Sequence, residues 1–453
     1  MRALVYGLAI AGEATVKALV RRGWTVEIAD DKAVDEIAAH DGAARAAALG
    51  AQYIGRPNHD AMAGLLDRFD LLAPSPGVPE THPVIAVAQA AGVPVRSEID
   101  LAWEWEQSRR GGPRPMLAVT GTDGKTTTTL MATDMLRAAG LRAIDAGNTD
   151  TPLIAAIDDD DAGYDAFVVE CTSFRLAWTT CFRPEAAVWL NLAEDHQDWH
   201  TSMTSYRAAK ARMWKFQRQT DTAIGFIDDS AVMAELAAAP ARHRAFGLAD
   251  ADYRRHDGHL VGPSGVIARV DDMKRALPHD VTNALAASAL VLESGLADSD
   301  AIAKALATFE GPPHRLQFVA ERDGVRFYND SKATTPHAAV TALRAFDSLV
   351  LIAGGKNKGL DLGPLTSEPT RTKAVVTLGS AGDLVAGLFE GLCPVERATS
   401  MADAVRLAAA LARPGDAVLL SPGCASFDMY SGYPARGDDF VRCVHDLIEG
   451  DTP

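Results

Sequence analysis

The sequence predicts an α/β fold in three domains, each built around a largely parallel sheet, and three observations carry that prediction. Short apolar, β-branched runs alternate with Ala/Leu-rich helical stretches along the 453 residues. Three segments open on a strand that runs directly into a glycine turn. Two Gly/Pro clusters, Gly111-Gly112-Pro113-Arg114-Pro115 and Gly311-Pro312-Pro313, interrupt the alternation where regular structure is disfavoured. The expected domains are 1–110, 111–311 and 312–453, a division that suits a chain of this length. No internal repeat is visible.

In chain order, the first unit is the strand ALVYG (Ala3–Gly7), a glycine turn and a helix through Arg21. Gly23 then precedes the strand TVEIAD, which ends at Asp30. The turn Gly7-Leu8-Ala9-Ile10-Ala11-Gly12 resembles a dinucleotide fingerprint with alanine at the second glycine position, and Asp30 stands where an acid could bind ribose. A plain tight turn or a different nucleotide is the more ordinary reading of so incomplete a motif. The second unit opens with the buried strand MLAVT and the loop TGTDGKTTTT. A helix follows from about Lys125 to Ala139 and is ended by Gly140. AFVVE (Ala166–Glu170) and AAVWLN (Ala186–Asn191) supply further strands. The third unit contributes LVLIAGG (Leu349–Gly355), AVVTLG (Ala374–Gly379) and AVLLSPG (Ala417–Gly423) with helices between them. The run Asp158–Asp161 reads as a solvated loop, not a metal site.

Hydrophobic content of 47% with 23% charged residues is ordinary for a soluble globular protein. A formal net charge of -16 and a pI near 5.2 argue against a nucleic-acid partner, because no general basic surface exists to neutralise phosphates. The five cysteines, an odd number without a C-x-x-C pair, indicate free thiols in a reducing compartment. Glu13 and Lys17 interrupt the N-terminal apolar run too early for a signal peptide. No apolar stretch approaches the roughly 20 residues that span a bilayer. A cytoplasmic protein without a membrane partner is expected.

The chemistry concentrates in the middle unit. Gly124-Lys125-Thr126 ends like a phosphate-binding loop, but Val119 occupies the position of the first expected glycine, and Gly121 is the nearest upstream. The context is nevertheless suitable: a buried strand delivers a glycine loop to a helix N-terminus, where free N–H groups and the dipole favour an anion. Lys125 can reach terminal phosphates, and the Thr126 hydroxyl can ligate Mg²⁺. Glu170, closing its strand, is positioned to hold magnesium, although a charged strand terminus is an equally ordinary reading. His196 and His200, four residues apart, would share one face of a helix. HExxH demands a glutamate beside the first histidine, and its absence disfavours a zinc hydrolase. Lys210, in SYRAAKARM, reads locally as any helix-surface lysine.

Gly121-Thr122-Asp123-Gly124-Lys125-Thr126 resembles the shortened loop of the Mur ligase superfamily, a group of ATP-dependent amide-forming enzymes. NLAEDHQDWH (Asn191–His200), YRAAK (Tyr206–Lys210), PHR (Pro313–Arg315), NDSKAT (Asn329–Thr334) and SPGCASFD (Ser421–Asp428) are similar to motifs of the branch that adds D-glutamate to UDP-N-acetylmuramoyl-L-alanine. The Ser75-Pro76-Gly77 turn also fits that branch, and the resemblance extends over essentially the whole chain. It implies a central P-loop ATPase-like domain between Rossmann-like N-terminal and C-terminal domains.

The resemblance implies roles residue by residue. Gly121, Thr122, Asp123, Gly124, Lys125, Thr126 and Thr127 would bind ATP, with Lys125 on the β/γ-phosphates and Asn283 on adenine. Arg315 and Asp330 would contact ATP across the cleft between domains. Thr126 and Glu170 would hold one Mg²⁺. His196 and a Lys210 carbamylated by CO₂ would hold a second, the carbamate converting a cation into an oxygen ligand for a hard metal. Ile10, Ala11, Asp30, Asp31, Lys32, Ser75 and Gly77 would grip the UDP part, with Asn148 and Ser173 nearer the muramoyl-alanine. Thr334, Lys332, Lys358, Ser426, Phe427 and Tyr433 would receive the incoming glutamate. The implied protein is a monomer that forms an acyl phosphate and then an amide.

Four positions depart from the expected pattern: Asp123 for asparagine, Arg175 for glutamine, Asp280 for asparagine, and Gly423 for alanine. Rival readings are a sister ligase with different amino-acid selectivity, a P-loop ATPase switch, and a nicotinamide-dependent oxidoreductase suggested only by the first unit.

Overall fold

The computed structural model describes residues 1–31, 37–57, 59–159 and 161–450. It divides into two compact units, Met1–Phe309 and Glu310–Pro453. Lys32 and Asp160 lie outside the described residues.

The first unit begins with a four-stranded parallel sheet. Arg2–Tyr6 lies between Thr25–Ala29 and Leu71–Pro74, and Gln52–Gly55 forms one edge. This parallel strand–helix–strand pattern follows the alternation of the sequence. The helix Ile10–Arg21 starts close beneath the first strand, where a Cβ on Gly12 would stand 2.1 Å from the Gly7 carbonyl oxygen. Only glycine permits that approach, so the second half of the fingerprint is a packing requirement.

A six-stranded parallel sheet follows. Met116–Thr120 lies between Ala166–Glu170 and Ala186–Trp189. Ala143–Gly147 flanks one side, and Thr222–Phe226 with Arg242–Phe246 flanks the other. Every residue of Met116–Thr120 is buried, as expected for a strand covered on both faces. The helices Lys125–Ala138 and Pro278–Glu293 pack on this sheet and share its core. One apolar cluster combines Ala14, Leu19 and Ile28 of the first sheet region with Leu153, Ile154 and Phe167 of the second.

The linker after the first sheet region is anchored: Arg114 is buried, donates to both Glu106 carboxylate oxygens at 2.8 Å, and lies over the Phe167 ring. The aspartate run is only partly the solvated loop expected, because Asp158 receives a bidentate contact from Arg22 at 2.6 and 2.7 Å.

A small antiparallel sheet, Arg254–His256, His259–Gly262 and Gly265–Arg269, is an element that hydrophobic alternation did not announce. Its first turn is Asp257-Gly258 with both residues at positive φ, the geometry that joins two-residue hairpins.

The second unit is a six-stranded sheet in the order Gln317–Arg322, Val325–Asn329, Ala417–Leu420, Leu349–Gly354, Thr372–Leu378, Val395–Arg397. The first pair is an antiparallel hairpin turned by Asp323-Gly324, again at positive φ; the other pairs are parallel. All three strands expected here form and are fully or almost fully buried.

Candidate active site

The loop after Met116–Thr120 is held chiefly by one side chain. Asn191 Oδ1 accepts the N–H groups of Thr122 and Asp123, both at 2.8 Å, and its amide nitrogen donates to the Asp123 carbonyl at 3.2 Å. Thr122 Oγ1 accepts the Ala193 N–H at 2.9 Å and lies 3.1 Å from the Tyr206 hydroxyl. Gly124 stands at φ 81, and a Cβ there would meet Asn283 Oδ1 at 2.8 Å, so the second loop glycine is required on both counts. The helix Lys125–Ala138 starts without a side-chain cap, which leaves its first-turn N–H groups to an anion. Lys125 Nζ folds back onto the Gly121 and Thr122 carbonyls at 3.0 and 2.8 Å. Thr126 and Thr127 sit half-buried on the first turn, and the Asp123 side chain is exposed to solvent.

Glu170 ends the strand beside this loop, in register with Val119, and is 1% exposed. Its Oε1 accepts from Asn148 Nδ2 at 2.8 Å, while Oε2 is buried with no hydrogen-bond partner. A buried carboxylate oxygen left without a partner fits a hard cation such as Mg²⁺. Among the described residues, no three His, Cys, Asp or Glu side chains converge as a ready-made metal cluster.

The segment Asn191–His200 is not helical, which removes the shared histidine face. His196 has φ 54, packs edge-on against Phe174 and lies 3.3 Å from Asp195. Burial, with Lys125 and Lys210 nearby, lowers its pKa and favours the neutral ring that can ligate a metal. His200 instead bridges Glu80 at 3.1 Å and Ser173 at 2.9 Å. An ionised carboxylate only accepts, so Nδ1 carries the proton toward Glu80 and the Ser173 hydroxyl donates to Nε2. Ser173 is thereby buried in this relay.

Lys210 is not on the helix surface. It is 1% exposed, on the helix Met203–Lys215, and donates to the Gly121 carbonyl at 2.6 Å over the Tyr206 ring. Burial first, and then the charge of Lys125, pushes its pKa well below the ordinary 10.5.

A cleft of about 490 Å³ is lined by Ile10, Ala11, Asp30, Asp31, Ser75 and Gly77, and by Asn148 and Arg175 from the neighbouring sheet region. Asp31 receives the Tyr6 hydroxyl at 2.7 Å and lies 3.0 Å from His82. Burial pushes its pKa upward, but these two bonds outweigh burial and hold the carboxyl below its usual range. Ser75 Oγ donates to the Gly7 carbonyl at 2.6 Å and closes the turn beneath the cleft. Sequence reading singled out Asn191 and Tyr206 only as letters within motifs, weighed His200 only as a partner of His196 on a helix face, and passed over Glu98 and Glu80.

In the second unit, Asp330 follows the strand Val325–Asn329 and accepts from the Leu316 N–H and the Ser421 hydroxyl at 3.2 and 2.8 Å. Arg315 is half-buried. Lys332 Nζ lies 5.5 Å from the Tyr433 ring centre. Arg436, absent from the sequence-based set, is buried and bonds Ser331 through its hydroxyl and carbonyl and Cys424 through its carbonyl. It thus fastens NDSKAT to SPGCASFD. Ser426 is buried beside that staple, Thr334 is half-buried, and Lys358 and Phe427 are exposed. Of the departures, Gly423 sits at φ 64, and Asp280 is buried against Arg275 at 3.1 Å.

A buried strand, a short glycine loop, a helix N-terminus and an adjacent carboxylate with an open oxygen define a P-loop-type enzyme that binds nucleoside triphosphate. Comparison with known proteins narrows this class. Residues 119–291 match the Mur ligase middle domain, and residues 314–424 match the Mur ligase glutamate ligase domain. The chain is 44% identical to a UDP-N-acetylmuramoylalanine--D-glutamate ligase of Frankia casuarinae, across 97% of this chain and 93% of that protein. It is 38% identical to the protein of the same name from Mycolicibacterium smegmatis, across 99% and 97%. Among solved structures, MurF of Acinetobacter baumannii aligns with a TM-score of 0.59 at 18% identity, over 97% of this chain and 93% of that one. MurC of Thermotoga maritima aligns with a TM-score of 0.57 at 17% identity, over 99% and 100%. At those identities the structures speak for the fold alone. The chain belongs to the Mur ligase family of ATP-dependent, amide-forming ligases.

Proposed function

We propose that this chain joins D-glutamate to UDP-N-acetylmuramoyl-L-alanine at the expense of ATP, in peptidoglycan precursor synthesis. The observation that carries the reading is near-full-length identity of 35–44% to several ligases named for that reaction. The cleft lined by Asp31, Ser75 and Asn148 supports it.

In this reading residues 1–110 bind the UDP part, 111–311 bind ATP, and 312–453 receive the amino acid. The alanyl carboxylate attacks the γ-phosphorus, the bond to the β-phosphate oxygen breaks, and ADP leaves an acyl phosphate. The neutral amine of D-glutamate then attacks that carbonyl carbon; phosphate departs and the nitrogen loses a proton to give the amide. Lys125 and the helix N-terminus stabilise charge on the transferring phosphoryl group. Thr126 and Glu170 hold one Mg²⁺, and His196 and carbamylated Lys210 a second. Bound there, the ions supply neutralisation of phosphate charge. The depressed pKa of Lys210 supports carbamylation, because only a neutral amine adds to CO₂. Asn283 receives adenine, with Arg315 and Asp330 on ATP. Thr334, Lys332, Lys358, Ser426, Phe427 and Tyr433 surround glutamate. The protein works as a cytoplasmic monomer; no helix of the described residues is long and apolar enough to cross a membrane.

One assay tests the reading: ADP formation with UDP-N-acetylmuramoyl-L-alanine and either D- or L-glutamate. The expected result is turnover that requires the nucleotide-sugar and D-glutamate together. Turnover with L-glutamate alone establishes the sister-ligase alternative, and phosphate release without any amino acid establishes the ATPase switch.

A further inference from the structure

Asn148 carries an amide whose two ends are alike in shape and opposite in chemistry, so its orientation is decided by its neighbours. On one side Arg175 Nη1 lies 2.8 Å from Oδ1. A guanidinium only donates, so that end must be oxygen. On the other side Nδ2 lies 2.8 Å from Glu170 Oε1, and an ionised carboxylate only accepts. Arg175 is itself held: it is 5% exposed and its Nε lies 3.0 Å from Oε1 of the buried Glu98. The other oxygen of Glu98 accepts the Ile154 N–H at 3.1 Å. The Asn148 backbone N–H donates to the Glu170 carbonyl at 3.0 Å, which fixes the distance between the two residues.

This chain of bonds commits Glu170 Oε1 and leaves Oε2 buried without a protein partner. We infer that Arg175 is a positioning residue for the metal carboxylate: as an obligate donor it locks the Asn148 amide so that Glu170 presents Oε2 to the cation. The inference rests on the proposed role of Glu170 as a Mg²⁺ ligand. Glutamine, the residue common here in the resembling pattern, can donate or accept, so it removes one of the two constraints that orient the amide. A reversed Asn148 would set its oxygen against the Glu170 carboxylate, and the repulsion would turn Glu170 away from its seat. Asn148 and Arg175 also line the cleft shared with Asp31 and Ser75, so the same lock joins the cleft wall to the metal carboxylate.

The test is Mn²⁺ titration, followed by electron paramagnetic resonance, of the full chain saturated with a non-hydrolysable ATP analogue. Arg175→Gln and the double variant Glu98→Gln/Arg175→Gln are compared with wild type. The double variant removes both buried charges, so a folded protein is measured even if Arg175→Gln alone leaves Glu98 unpaired and unfolds the chain. Both are expected to bind Mn²⁺ roughly tenfold more weakly, the low end for loss of a group that orients a metal ligand. Arg175→Lys, still a donor only, should retain wild-type affinity to within about twofold, well short of that loss. Glu170→Gln is the reference arm. If it weakens Mn²⁺ binding and the glutamine variants do not, the inference about Arg175 is overturned while the role of Glu170 stands. If Glu170→Gln changes nothing, the metal-carboxylate reading fails and the inference fails with it.

Discussion

The Lys210 amine stands 2.6 Å from the Gly121 carbonyl oxygen, so a buried lysine is tied to the first glycine of the phosphate loop. Burial lowers its pKa, so the unfolded chain binds that proton more tightly, and stability rises as pH climbs toward the ordinary 10.5. At neutral pH the residue costs stability. Lys210→Met should therefore melt no lower than wild type in calorimetry while losing ligase activity. Lys210→Ala should be inactive and partly rescued by short carboxylates; full activity without additives would count against a carbamate there.

Lys125 sits folded onto the Gly121 and Thr122 carbonyls, ready to exchange those oxygens for phosphate oxygens. Lys125→Ala should lower the rate of ADP formation by at least about two orders of magnitude, the scale of losing a charge contact made in the transition state. Near-normal turnover would remove the loop from the mechanism.

Asn191 accepts two loop N–H groups at once. Asn191→Ala should raise the KM for ATP about tenfold, equivalent to ~1.4 kcal/mol and to one net hydrogen bond. The effect on kcat should be smaller, because the loop is loosened and the reacting groups stay in place. Steady-state kinetics at saturating co-substrates separate the two.

His200 bridges Glu80 and Ser173, and burial holds its pKa below the ordinary 6.5. As pH falls, the unfolded chain takes up this proton first. Stability from the neutral ring is full above about 6.5 and is lost as pH drops toward the folded value. Burial pushes the Glu80 pKa up, but hydrogen bonds from Thr201, Ser205 and His200 lower it overall; its contribution persists to more acid pH. His200→Gln should flatten the fall in Tm between neutral and mildly acid pH. A slope equal to wild type would assign that fall to other groups.

Asp123 is exposed beside the loop while its N–H is held by Asn191. Asp123→Asn should lower the KM for ATP by only about twofold, and the gap to wild type should shrink with added salt, as for any screened surface charge. A larger, salt-independent change would place the carboxylate in the binding site itself.

The sequence by itself determined the parallel α/β fold, the strand–loop–helix at Met116–Ala138 and the strands of the second unit, because each rests on local periodicity and on glycines beside strand ends. The hairpins at Asp257-Gly258 and Asp323-Gly324 were also written locally, in a turn dipeptide easily passed over among helices. Motif resemblance supplied most of the residues proposed for the candidate site. What only the tertiary structure decided is which side chains meet. Lys210 looks like a surface lysine within its own helix and is buried because that helix packs behind a loop 89 residues earlier in the chain. The Glu98–Arg175 pair joins residues 77 apart. The direction of the Asn148 amide, and so the open oxygen of Glu170, follows from that pair. Periodicity reports the face a residue occupies on its own element. Desolvation and hydrogen-bond direction depend on the elements that come to cover it, and those are set by long-range packing.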